Sequence, residues 1–418
     1  MSAVSEGGSE EVDVVIVGGG PAGAALATLL AGRGRSVVVL ERRPAWQWRA
    51  CGVFAGPAVR PHLASLGFVD PGASGLARDV PAMRLETPGG TTLRLAYAVD
   101  RGGPPALGFD RRALDEGLLA CAARSGARVR RGRRMVGLTL GVRPVVSIEG
   151  PRGRAEVRTR VVVGADGIRS SVAAAAGVGR PPRLRRVGLT FHVAEEAQPA
   201  GAGIGDSVEA TVDARMIVAG DRYSGLAPVP GGRVNIGLVL RGAAAEDLHA
   251  NGGAAAWNAI HASLPSPAEG AVRVAGDGSA LDRPAGAAPL GHRVTRRSGD
   301  GWLLVGDAAG FVDPFTGEGI NRALASAFLA ADAIERTFSG DRRALDGYDR
   351  AMRGRFATKD ALSLLVQAFL ARPPLFEYAA GRLARRRALG RTFEAVLADL
   401  VPASRALDPR FLVRLLAP

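Results

Sequence analysis

Apolar residues in this chain gather in three ways. Short unbroken runs at Asp13–Val17 (DVVIV), Ser36–Leu40 (SVVVL), Arg160–Gly164 and Leu303–Val305 predict strands buried on both faces, the pattern of a parallel sheet. Between the first two, a glycine-rich turn precedes Ala24–Arg33, which predicts a helix, so this region forms one strand–helix–strand unit of about 30 residues. Alternation is the second pattern. It predicts a hairpin over 83–98 around a Gly-Gly turn, another over Val145–Gly164, and further β structure from about 187 to 241 with turns at Pro228–Arg233. Helical spacing marks Arg111–Gly126, where Leu114, Leu118 and Cys121 or Ala122 share a face, then Glu318–Phe338, then most of 350–418 between prolines.

The β/α pieces stand at both ends with β-rich segments between them, so one domain is interrupted by another. The chain's 418 residues suffice for two or three domains. The expected division is a cofactor domain from 11–80, 105–182 and 285–345, a β-rich substrate domain from 81–104 and 183–284, and a helical segment over 346–418. The fold class is α/β: a doubly wound, Rossmann-like domain with an inserted antiparallel β-sheet domain and C-terminal helices.

Composition narrows the function classes. The net charge of +14 invites a nucleic-acid reading, but 53 of the 54 basic residues are arginines, the exception being Lys359. The arginines are dispersed, glycine and alanine are abundant, and no nucleic-acid module signature appears, so a GC-rich coding sequence is the simpler source and no nucleic-acid partner is expected. Two cysteines, Cys51 and Cys121, make neither a disulfide scaffold nor a CxxC site. Met1–Glu11 has no basic and no apolar region of a signal peptide, and no apolar run approaches about 18 residues, so a cytoplasmic location is expected.

Three motifs carry the chemistry. Gly18-x-Gly20-x-x-Gly23 lies between a strand and a helix: Gly18 for the turn, Gly20 for close approach of a pyrophosphate, Gly23 for helix–strand packing, with the helix N-terminus facing the phosphates. Glu41 follows at the distance where a carboxylate accepts ribose hydroxyls, which disfavours a 2′-phosphate; the adjacent Arg42 joins the candidate set. The second motif is a buried strand running into Asp166-Gly167. The third is Gly306-Asp307-Ala-Ala-Gly310, then Asp313-Pro314-Phe-Thr-Gly317-Glu-Gly319-Ile320-Asn321, where a strand ends at a carboxylate and a glycine-rich loop opens a long helix. Gly201-x-Gly203-x-Gly205 opens no helix and reads as a loop, so the chain has one dinucleotide fold.

In this order and spacing the three motifs resemble the aromatic-hydroxylase-type FAD oxidoreductases, over roughly residues 11–340. That superfamily holds aromatic hydroxylases, flavin halogenases and geranylgeranyl reductases. The resemblance implies FAD, with Gly18, Gly20 and Gly23 at the pyrophosphate, Glu41 on the adenosine ribose and Arg111 near the phosphates. It implies Asp166 and Gly167 beside the pyrophosphate, Asp307 on the ribityl chain, and Pro314, Gly317, Gly319 and Ile320 against the flavin ring. Gly310, Gly317–Ile320, Arg49-Ala-Cys51-Gly52 and Tyr223–Gly237 are closest to the geranylgeranyl-reductase branch, which places Cys51 near the flavin. In that last segment Gly225 and Ala227 stand where the branch usually has Trp and Phe, and Asn321 is hydroxylase-like.

The implied function is reduction of a carbon–carbon double bond in a lipophilic, prenyl-like substrate by reduced flavin, with NAD(P)H as a transient electron donor. The alternative is a monooxygenase acting on an aromatic or polyketide ring. A halogenase fits less well, because Trp46–Trp48 continues into Arg-Ala rather than Ile-Pro, and a prenyl carrier has no need of Glu41 and Asp307. The histidines, His62, His192, His249, His261 and His292, show no metal spacing, and no catalytic acid or base stands out beyond His192 on the substrate-domain β segment. Residues 372–418 hold nine arginines against four acidic residues beside apolar positions at helical spacing. They are expected to cap the two domains and to reach an anionic membrane peripherally.

Overall fold

The computed structural model describes residues 10–417 apart from 98, 152, 197–210, 221, 243, 244, 246–266, 268 and 277. The Gly201–Gly205 loop, His249 and His261 lie outside the described residues.

One sheet grows outward from Glu10–Val17. Gly153–Gly164 and Val37–Glu41 flank it in parallel, and Trp302–Leu304 and Arg128–Arg131 extend it in parallel on either side. Val14, Val15, Ile16, Val38 and Val39 are fully buried, as strands covered on both faces require. Each such side chain contributes about 1.5–3 kcal/mol on leaving water. The antiparallel strands Val145–Gly150 and Arg134–Thr139 continue the sheet from Gly153–Gly164. The first helix runs Pro21–Ala31, three residues earlier than its apolar pattern suggests. Proline at the first helical position lacks the N–H that would be unpaired there, and Gly32 closes the far end.

Register decides where the chemistry sits. Val17 pairs with Leu40 and with Gly164, and Gly164 pairs with Leu304. Four parallel strands therefore end level, and their outgoing segments at Gly18, Glu41, Ala165–Gly167 and Gly306–Gly310 emerge along one edge. In a sheet of this kind that edge is where ligands bind.

A second sheet runs in the order Ala285–Ala287, Val187–Ala194, Arg233–Leu240, Arg222–Val229, Ala214–Ala219, Met83–Glu86, Thr92–Leu95. The 83–95 hairpin joins it through a parallel pairing of Met83–Glu86 with Ala214–Ala219. Because side chains alternate, its two faces differ. Leu189, Phe191, Ile217, Leu226, Val234, Ile236 and Leu238 form one core. Met216, Val218, Tyr223 and Val239 face the other way and pack with residues of the C-terminal helices, among them Leu362, Val366, Phe376, Leu389, Val396 and Phe411. Those helices are Ala344–Leu370, Pro373–Arg385, Arg387–Leu397, Ser404–Leu407 and Pro409–Leu416.

A small third sheet of Phe54–Ala55, Ala77–Val80 and Ala106–Phe109 lies between the other two. Gly108 lets it press on the substrate sheet: a Cβ there would stand 1.9 Å from the Pro228 carbonyl oxygen. No helix among the described residues is long and apolar enough to cross a membrane.

Candidate functional site

The glycine loop meets its requirements one residue at a time. Gly18 has φ +107°, and a Cβ on it would lie 2.4 Å from the Ala165 carbonyl oxygen. Only glycine lets the loop after the first strand touch the loop after Gly164. A Cβ on Gly23 would lie 2.0 Å from the Gly18 carbonyl oxygen, so that residue brings helix against strand. Gly20 differs: its Cβ direction is open but for Arg49 Nη2 at 3.6 Å. No side chain caps the helix that Gly20 precedes. Its first N–H groups and partial positive charge are left for an anion from outside the chain.

Glu41 ends the second strand beside this loop. Its Oε2 accepts the Gly19 N–H at 3.0 Å and its Oε1 accepts the Arg43 N–H at 3.0 Å. A carboxylate has about four lone-pair sites, so acceptor capacity remains for a diol. Gly19, Glu41, Arg43, Trp46, Arg49, Asp115 and Leu119 help line a cleft. Arg42 is exposed and does not line it; Arg43 and Arg49 do.

Asp115 organises the next step along the edge. It accepts Arg111 at 2.9 Å, Arg49 at 2.8 Å and the Trp46 indole N–H at 3.4 Å. Arg111, buried, also donates to the Gly52 carbonyl at 2.7 Å. Cys51 is therefore fixed beside a guanidinium. Burial pushes its thiol up, and Arg111 and Arg49 oppose that. Asp307 shares this neighbourhood. Burial raises its carboxyl above the usual range against the pull of Arg322 and Arg111.

The Asp307 carboxylate is half-buried and makes no hydrogen bond and no ion pair among the described residues. The Asp-Gly motif behaves alike. Asp166 Oδ2 accepts the Ser171 N–H and hydroxyl at 2.6 Å each, while its Oδ1 is buried and unpartnered. Gly167 turns the chain at φ +79°.

Beyond Gly310 the loop carries Pro314 and Gly317, and Gly319 and Ile320 open the helix Gly319–Phe338. Gly317 has φ +67° and backs onto Phe54, and a Cβ on Gly319 would meet nothing within 4 Å. This N-terminus, too, has no side-chain cap. The C-terminal helices hold it from behind. Glu318 Oε1 accepts Lys359 at 2.7 Å, and Asp399, at φ +60°, accepts Lys359 at 3.0 Å, Asn321 at 3.1 Å and Arg355 at 2.5 Å.

The substrate sheet faces this loop. Tyr223, Gly225, Ala227 and Val229 alternate onto one face, and Gly225 pairs with Gly237 on one side and Met216 on the other. A Cβ on Gly237 would meet only the Gly225 carbonyl oxygen at 3.9 Å, so the middle of the face is a strip bare of side chains. Its borders are the Met216 thioether, the Tyr223 ring set edge-on to Phe315 at 5.1 Å, and Trp48 against His192 at 4.6 Å. His192 Nδ1 lies 2.7 Å from Asp282, and Asn235 bonds the Thr190 hydroxyl at 3.0 Å. The wall is apolar with one polar corner.

The structure thus brings Gly18, Gly20, Gly23, Glu41, Cys51, Arg111, Asp166, Gly167, Asp307, Pro314, Gly317, Gly319 and Ile320 to one edge. Sequence reasoning gave Trp46, Arg49 and Asp115 no role in the site. Only the spacing of Asp115 from Arg111 on one helix face hinted at the last. An open glycine, two uncapped helix N-termini, an unpartnered carboxylate and an orphaned Asp166 oxygen fit a dinucleotide with a polyol chain. No cluster of metal-ligating residues occurs among the described residues.

Comparison with known proteins agrees with this geometry. The family described as FAD binding domain matches residues 11–359. Digeranylgeranylglycerophospholipid reductase 2 of Methanopyrus kandleri is 31% identical over 342 residues, 78% of either chain. Digeranylgeranylglycerophospholipid reductase 1 of Methanococcoides burtonii is 27% identical over 366 residues, 86% of this chain and 83% of its own. Among solved structures, a geranylgeranyl bacteriochlorophyll reductase-like protein from Thermoplasma acidophilum superposes with a TM-score of 0.71 at 19% identity, covering 98% of this chain and 96% of that one. That likeness is one of fold.

Proposed function

The chain belongs to the FAD binding domain family, and on that premise we propose that it saturates a carbon–carbon double bond of a lipophilic, prenyl-like substrate. It is an FAD-dependent oxidoreductase. The observation that carries the reading is the apolar wall with its bare strip at Gly225 and Gly237, facing the loop of Pro314–Ile320.

The residues at the edge divide the work of holding the cofactor. Gly18, Gly20, Gly23 and the helix behind them would take the pyrophosphate, Glu41 the adenosine ribose, Arg111 and Asp166–Gly167 the phosphate surroundings, and Asp307 the ribityl chain. Pro314, Gly317, Gly319 and Ile320 would line the ring. When bound and reduced, FAD supplies the hydride, and a nicotinamide donor visits only transiently. The protein contributes position, an apolar wall that excludes water, and the positive end of helix Gly319–Phe338 for anionic charge. The same division supports taking 11–80, 105–182 and 285–345 as the cofactor domain, 81–104 and 183–284 as the substrate domain, and 346–418 as the segment that closes over both.

The test is anaerobic incubation of the reduced protein with a lipid and metabolite extract, read by mass spectrometry. A substrate heavier by two hydrogens is expected. A gain of oxygen in air, with substrate-dependent oxygen uptake, would replace this reading with the monooxygenase one.

Asp307→Ala is expected to weaken FAD binding about ten- to a hundred-fold, since a charge-assisted hydrogen bond is worth about 1.5–3 kcal/mol. Titration of the apoprotein with FAD measures it, and unchanged affinity would remove Asp307 from the site.

We further propose that the C-terminal helices touch an anionic membrane, where a lipophilic substrate is collected. Arg385, Arg386, Arg387, Arg391, Arg410 and Arg414 are exposed, as are Leu400, Val413 and Leu416. Arg382 is less exposed, and it and Arg386 donate to the Arg414 carbonyl, tying two helices together. At about 1 kcal/mol per basic residue near such a surface, attachment is reversible and salt-sensitive. Vesicle co-sedimentation should show preference for anionic over neutral lipid, lost in high salt and on replacing Arg385, Arg386 and Arg387 by serine.

A further inference from the structure

At the outer end of the substrate sheet lies a second cavity. Arginines enter it from three strands or their ends: Arg186 before Val187–Ala194, Arg222 at the start of its strand, and Arg241 just after Arg233–Leu240. Val218, Tyr223, Val239 and Leu370 supply the apolar part, and none of the lining residues among the described residues is acidic. Gly220, exposed, stands at its mouth.

Two buried polar atoms on residues of this wall have no hydrogen-bond partner among the described residues. One is Arg222 Nε, a donor on a permanently charged group; the other is Gln367 Oε1, an acceptor. Buried polar groups are nearly always satisfied, and an unpaired charged one is the most costly kind. The remaining polar groups are positioned by the chain itself. Arg186 is paired with buried Asp313 at 2.6 Å, Gln367 donates to the same carboxylate at 2.6 Å, and Arg241 is anchored on the Gly220 and Leu370 carbonyls at 2.9 and 2.7 Å.

We propose that this cavity is an oxyanion site that binds the phosphate group at the polar end of the substrate. Arg222 Nε donates to an anionic oxygen, and Gln367 Oε1 receives a hydroxyl of the same ligand. Its place in the sheet points the same way. Tyr223 borders both this cavity and the bare strip, and Gly225 lies two residues along the same strand face, about 7 Å at about 3.3 Å per residue. A chain anchored by its phosphate here would run over Gly225 toward the loop of Pro314–Ile320. The assignment of the ligand as substrate rests on the reductase reading; the anion site itself does not.

The experiment is binding to the oxidised holoprotein, with no turnover, by calorimetry. The probes are inorganic phosphate, a twenty-carbon prenyl monophosphate and the corresponding prenyl alcohol. Wild type should bind the prenyl phosphate about ten- to a hundred-fold more tightly than the alcohol, the range of a charge-assisted hydrogen bond. Arg222→Ala should bring the two within about twofold, with FAD content unchanged, and Arg222→Lys should restore part of the preference. Inorganic phosphate should compete with the prenyl phosphate and not with the alcohol. If inorganic phosphate binds, Arg222→Ala abolishes it, and the prenyl phosphate gains nothing over it, the site stands but serves a free ion. Equal binding of phosphate and alcohol by wild type, or a preference that survives Arg222→Ala, overturns the proposal. A protein that discriminates by phosphate yet yields no hydrogenated product separates failure of the reductase reading from failure of this one.

Discussion

Replacing Asp313 by alanine should destabilise the folded protein by about 3–5 kcal/mol, the usual cost of removing one partner of a buried ion pair. Typical folded domains have only about 5–15 kcal/mol in all. Asp313 is 7% exposed and binds four groups, three from distant parts of the chain and one from its own loop. They are the Arg186 guanidinium, the Tyr223 hydroxyl and the Gln367 amide, each at 2.6 Å, and the Phe315 N–H at 3.0 Å. Burial pushes its carboxyl up, and Arg186 opposes that. Truncation leaves the Arg186 charge buried without its carboxylate. Equilibrium denaturation should show the loss, with Asp313→Asn losing less because its amide oxygen still accepts on one of the two sides, either Tyr223 or Arg186. A midpoint within experimental error of wild type for Asp313→Ala would mean that water reaches Arg186.

Gly23→Ala and Gly20→Ala should part company, although each adds one methyl group five residues or fewer from Gly18. At Gly23 the new carbon would lie 2.0 Å from a backbone oxygen and 3.0 Å from Ala165 Cβ, neither of which swings away like a side-chain tip. Overpacking of this kind costs about 1–3 kcal/mol or more, and the helix must leave the strand. FAD affinity should fall at least about tenfold along with stability. At Gly20 the methyl group enters open space beside Arg49, so the apoprotein should melt as wild type does while FAD affinity drops. Thermal melts with and without added FAD check both. Equal FAD affinity for Gly20→Ala and wild type would mean that the pyrophosphate does not approach this face of the loop.

The candidate edge was legible in the sequence because each of its residues answers a local demand. A positive φ, a close backbone approach or a strand-end carboxylate leaves a fixed residue type at a fixed spacing, and parallel register then aligns the separate motifs. The Asp313 hub leaves no such trace: its partners lie 127, 90 and 54 residues away. The small sheet escaped as well. Phe54–Ala55 is two residues long, and Ala77–Val80 and Ala106–Phe109 are four each, too short for alternation to register. Trp46 and Trp48 read from sequence as one element. They point to different places, Trp46 to the Asp115 carboxylate and Trp48 to the Thr190 carbonyl on the substrate sheet.

The clasp between Glu318, Asp399 and Lys359 has a consequence for how the protein meets a protease. Lys359 is the sole lysine in the sequence, 4% exposed and held by two carboxylates at the N-terminus of the helix Gly319–Phe338. An endoproteinase that cuts only after lysine therefore has one scissile bond in the whole chain, inside a helix and inside the clasp. Cleavage into two fragments can proceed only when the C-terminal helices lift from the cofactor loop. The rate of that single cut is then a direct clock for the opening, and it should slow as FAD binds.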